Sequence, residues 1–112
     1  MRPRVWRRFK LGGETWRAFI VSPISEHLRV DGERKIGTCD YNTSCIYISS
    51  DLKGPARVST FLHEVLHACL FVSQAADAYG QDEAIDERIV GALTPALHQF
   101  LNQVADLFVE AS

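Results

Sequence analysis

From Pro55 to about Asp77 the chain runs without a helix breaker, and this stretch limits the folds open to it. At about 100° per residue, Val58, Phe61, Leu62, Val65, Leu66, Cys69 and Val72 fall on one broad apolar face. Pro55 suits the first helical turn, and Gly80 marks the turn that follows. A second helix is predicted from about Asp82 to Val109. There Ile89, Val90, Leu93, Leu97, Phe100, Leu101, Val104, Leu107 and Phe108 share a stripe, and Pro95 should kink it. Upstream the period changes. "VWRRFKL" and "TWRAFIV" are aromatic and β-branched runs around Gly12 and Gly13, which predicts a hairpin. "RKIGTCDY" and "SCIYISS" predict a second hairpin around Asn42 and Thr43, with Ile46 and Ile48 on one face and Cys45, Tyr47 and Ser49 on the other. A short strand at "HLRV" leads into a turn at Asp31 and Gly32. The expected fold is α+β: a small antiparallel sheet of N-terminal hairpins, packed on one helix bearing polar residues and on a long C-terminal helix. It forms a single domain over residues 1–112, with strands mainly in 1–53 and the two helices in 54–112.

The length of 112 residues supports one core, and a formal charge of -2 excludes a chain that is polyanion-binding as a whole. No apolar run approaches the roughly 20 residues that span a bilayer, and no secretory leader is recognisable, so a cytoplasmic location is expected and a membrane partner is not. Cys39, Cys45 and Cys69 are odd in number and lack CxxC spacing, which points to thiols rather than disulfides or a cysteine zinc knuckle. "MRPRVWRRFK" holds five basic residues in ten. An edge strand protected by charge explains it more simply than a nucleic-acid contact, and Trp6 and Trp16 read as core or cross-strand partners.

Inside the first helix, "FLHEVLHACLF" sets His63, Glu64 and His67 in an apolar stretch. Histidines four apart project from one side of a helix, one turn apart, where both reach a single ion at about 2.0 to 2.1 Å. They lie nearly opposite the centre of the apolar face. Glu64 is offset by about 100° from His63 and 60° from His67, suited to a water beside the ion rather than to its inner shell. Such a set serves hydrolysis: the ion polarises water and carbonyl, and Glu64 moves the proton as general base. Leu70 and Phe71 are placed to exclude bulk water.

A catalytic zinc site takes a third protein ligand, and the candidates downstream are Asp77, Asp82, Glu83, Asp86, Glu87 and His98. Glu87 is favoured. It lies 20 residues after His67, and Gly91 beyond it removes bulk where two helices would approach. Asp86 and Glu83 stay open as rivals, and the run "DEAIDE" also complements a helix N-terminus without any metal. His98 sits about 16 Å along the axis from Glu87, too far to share an ion, and reads as a surface or structural residue.

"HEVLH" with Glu87 in "DERIVGAL" resembles the zincin metallopeptidases, in their glutamate-ligated branch. The short format resembles small phage or prophage proteins related to the ImmA/IrrE-type peptidases, over roughly residues 36 to 108. The resemblance implies a sheet above an active-site helix, one zinc per chain held by His63, His67 and Glu87, Glu64 as general base, and "SCIYISS" as the edge along which a peptide pairs. It implies a peptidase acting on a narrow protein substrate, in the host cytoplasm if phage-encoded. Larger zincins carry a further domain that often supplies an oxyanion-stabilising His or Tyr; here Tyr79 and Arg88 are the substitutes considered. The alternative is a non-catalytic, zinc-stabilised regulatory module whose basic N-terminal arm contacts nucleic acid.

Overall fold

The computed structural model describes residues 3–73, 80 and 82–111, with side chains through Gln103. The first hairpin joins β1 (Val5–Leu11) to antiparallel β2 (Glu14–Val21). Gly12 and Gly13 both have positive φ, 57° and 86°, the backbone a two-residue turn requires when it follows the right-handed twist of its strands. A 3-10 turn at Glu26–Leu28 and a small hairpin of β3 (Arg29–Val30) and β4 (Glu33–Arg34) follow. Next come β5 (Gly37–Asp40) and antiparallel β6 (Cys45–Ser49), with Cys39 opposite Ile46 as the predicted turn requires. α1 covers Gly54–Val72 and α2 covers Glu83–Ala111.

The α+β class holds, but the sheet is mixed rather than antiparallel. Its order is β1-β2-β6-β5, and β2 pairs with β6 in parallel. Hairpin chemistry decides only the pairings inside each hairpin. The connection from Ser22 to Ile36 is long enough to carry the chain to the far edge, so that β6 returns between β5 and β2. β6 is consequently interior, with Cys45, Ile46, Ile48 and Ser49 all buried, and the edge expected at "SCIYISS" belongs instead to β5.

The core between sheet and α1 contains Trp16, Ala18, Ile46, Ile48 and Ala68, all at most 1% exposed, ringed by Trp6, Phe9, Phe61 and Val65. Trp6 and Phe9 meet Phe61 edge-on, with ring centroids 5.2 and 5.7 Å away, so both tryptophans are structural as expected. α1 is rotated relative to its predicted face. Val58 is 39% exposed while Ala68 and Glu64 are buried, because the sheet meets the helix along Phe61, Val65, Ala68 and Val72. α2 passes through Pro95 without ending there, and Thr94 Oγ1 donates to Val90 O at 2.7 Å. Val90 is buried, but Leu93 and Phe100 are more than half exposed, so only part of the predicted stripe is covered. The side chains of Val104, Leu107 and Phe108, and residues Asp77 and Tyr79, lie outside the described residues. Among the described residues no helix is long and apolar enough to cross a membrane.

Candidate metal centre

The two helices run past each other so that the first turn of α2 faces the middle of α1. Asp82 starts α2 as its cap, its Oδ1 accepting from the Ala84 and Ile85 N–H groups at 2.8 and 3.2 Å. One turn later, Asp86 and Glu87 meet the histidines.

His63, His67 and Glu87 each offer a ligand atom, and these three atoms lie within 4.8 Å of one another. Glu87 Oε1 is 2.5 Å from His67 Nε2 and 3.5 Å from His63 Nε2. Ligands around a tetrahedral zinc at about 2.1 Å stand about 3.4 Å apart, a spacing the two Glu87 distances bracket, while the histidine nitrogens stand within 4.8 Å of each other. Asp86 does something different. Its Oδ2 is 2.7 Å from His67 Nδ1, the other ring nitrogen, so Asp86 fixes the ring and turns Nε2 toward Glu87. A metal-binding imidazole commonly has such a carboxylate behind it. Of these two rivals, Glu87 meets both histidines at Nε2, while Asp86 meets the far ring nitrogen of His67. Neither Glu83 nor His98 belongs to the cluster, though Glu83 lines the cleft beside it.

Glu64 is 7% exposed, wedged between α1 and the edge strand. Burial pushes its carboxyl up to about 7, with His67 drawing it down and Glu87 raising it further. Added positive charge at the cluster would favour the ionised, proton-accepting form. A glycine makes the wedge possible: a Cβ built on Gly37 would stand 2.7 Å from Thr60 Cγ2 and 3.2 Å from Glu64 Oε2. Gly37→Ala is expected to cost about 1–3 kcal/mol in urea unfolding by overpacking this contact, whereas alanine at Gly91, which has nothing within 4 Å, should not. Gly91 is therefore not the helix-approach residue expected from its position. Two positions beyond Gly37, Cys39 is pushed up first by burial and then by Glu64, which keeps it a neutral thiol.

A cleft of about 780 Å³ opens over these groups, lined by Gly37, Thr60, His63, Glu64, Glu87 and Thr94 among others. Leu70 and Phe71 do not form its wall as expected. Phe71 is half exposed and stacks on Tyr41, with ring centroids 4.4 Å apart. Arg88 is exposed and is not among the residues that line the cleft. The close approach at Gly37 and the contact of Asp86 with the far nitrogen of His67 are not indicated by the motif. The one available signal was an isolated glycine inside a strand pattern, which marks close approach.

No family model matches the chain, and no curated protein or solved structure matches it.

Proposed function

We propose that the chain is a zinc-dependent peptidase acting in the cytoplasm on a narrow protein substrate. The observation that carries this reading is the convergence of His63, His67 and Glu87 beside a buried Glu64 at the floor of an open cleft. The donor set of two imidazoles and a carboxylate suits zinc, and the resemblance of "HEVLH" and Glu87 to the glutamate-ligated zincins favours the same choice. Three free thiols are in keeping with a reducing compartment.

When bound, the ion supplies Lewis acidity to a water and to the substrate carbonyl. The chain supplies the rest. With Nδ1 donating to Asp86, His67 would present Nε2, which Glu87 meets at 2.5 Å, as its ligating nitrogen. Glu64 accepts a proton from the attacking water and returns it to the leaving nitrogen, and its low exposure keeps competing solvent away. β5 borders the cleft as a free edge. Because Ser49 N–H donates to Ile36 O at 2.9 Å, the antiparallel alternation turns the main chain of Gly37 and Cys39 outward, where an extended peptide pairs by strand addition.

Incubation of zinc-loaded protein with a peptide library, read by mass spectrometry, is expected to give new termini that vanish with chelator and return with zinc. Full zinc loading without such termini overturns the proposal in favour of a zinc-stabilised regulatory module. Asp86→Asn is expected to weaken zinc binding roughly 10- to 100-fold in a chelator-competition titration while leaving saturation at one ion per chain.

A further inference from the structure

The candidate metal centre uses only the sheet face covered by α1. The other face carries Arg8, Lys10 and Arg17 against Asp40, and is net basic. Eleven of the twelve Lys and Arg residues fall within the first 57 positions, which hold only six of the fourteen Asp and Glu. Phe9, Trp16 and Ala18 point into the core, so strand alternation turns Arg8, Lys10 and Arg17 to the opposite face. Arg8 and Arg17 are direct cross-strand partners, an arrangement that weakens a sheet when nothing negative lies between the two. Among the described residues, none of the ion pairs involves Arg8, Lys10 or Arg17.

Beside these charges runs a column of rings. The Arg17 guanidinium lies 5.8 Å from the Phe19 ring centroid. Phe19 stacks on Tyr47 at 5.4 Å and 17°, and Tyr47 on His27 at 4.0 Å and 2°. The column crosses β2 and β6 and ends at exposed His27, on the 3-10 turn. We infer that this face binds single-stranded nucleic acid, with phosphates against Arg8, Arg17 and Lys10 and an unpaired base continuing the ring stack at His27. Cations beside stacked rings suit a strand whose bases are free, whereas a duplex keeps its bases stacked on one another. An anionic membrane would use the charges and leave the rings idle, and the large exposed apolar residues of the described chain all lie off β1, β2 and β6. The inference stands whether or not the metal centre is catalytic.

Fluorescence anisotropy of the zinc-loaded full chain with labelled dT15 and U15 at 50 to 200 mM salt tests it. Binding should weaken steeply as salt rises. The double variant Arg8→Gln, Arg17→Gln is expected to lose at least about tenfold in affinity at 50 mM salt and to flatten the log–log salt slope by about 1.4, at roughly 0.7 per phosphate contact. His27→Ala is expected to weaken binding roughly tenfold with the slope unchanged. All three side chains are exposed, and circular dichroism of each variant verifies that the fold is retained. Absence of binding at 50 mM salt, affinity indifferent to these variants, a preference for duplex, or Arg8- and Arg17-dependent binding to phosphatidylserine vesicles with no oligonucleotide binding each overturns the inference.

Discussion

Glu64→Gln is expected to keep close to one zinc per chain while lowering peptide hydrolysis by roughly 10²- to 10⁴-fold, the range a positioned general base contributes. The side chain is 7% exposed and lies outside the cluster of His63, His67 and Glu87, so the amide should fill the same space without removing a ligand. The variant also removes a carboxyl whose burial disfavours its charge, so the metal-free protein should unfold at no lower urea concentration than the parent. Metal analysis and turnover measured on one preparation separate the readings. Zinc retained with activity lost assigns proton transfer to Glu64. Zinc retained with biological activity intact assigns the chain to the regulatory alternative.

His67→Ala is expected to have the larger effect on metal. His67 is 8% exposed and engages both acidic residues, Asp86 through Nδ1 and Glu87 through Nε2. Its loss removes a ligand and also the ring that both carboxylates address, so zinc content should fall close to zero. The consequence is readable without any substrate. A ligand present at 100 times its Kd stabilises the folded state by about 2.7 kcal/mol, which for a chain of this size raises Tm by roughly 10 °C. Zinc should shift the parent by that amount and leave His67→Ala unmoved. His63→Ala, which removes a more exposed ring, should behave alike in metal content while perturbing the metal-free fold less. Full zinc occupancy in either variant would remove the metal-centre proposal.

Much of the fold was legible because it follows from local periods. The glycine pair at 12 and 13, the alternation in "SCIYISS" and the apolar repeat after Pro55 each act over a few residues, and the elements formed where those patterns placed them, except that α1 stops at Val72 where the pattern ran on to about Asp77. The parallel pairing of β2 with β6 was not legible. It depends on where a 15-residue connection delivers the next hairpin, and nothing in either hairpin encodes that. The face of α1 was misjudged for a related reason. The apolar repeat groups Val58, Leu62 and Leu66 with Phe61, Val65, Cys69 and Val72, but a sheet packs against the row where small Ala68 lets it approach, and Glu64 is carried into the contact beside Gly37.

By itself the sequence determined that His63 and His67 stand on one side of a helix with Glu64 adjacent, because a helix repeats every 3.6 residues whatever surrounds it. It also narrowed the third candidate ligand to Asp77, Asp82, Glu83, Asp86, Glu87 and His98, with Glu87 favoured. Only the tertiary structure decided that Glu87 joins the histidines while Asp86 grips the far nitrogen of His67, and that β5 rather than β6 is the free strand beside them. Neighbouring residues on α2 differ by about 100° in direction, so a modest rotation of one helix against the other exchanges their roles. That rotation is set by packing between segments far apart in the chain, which no local pattern records.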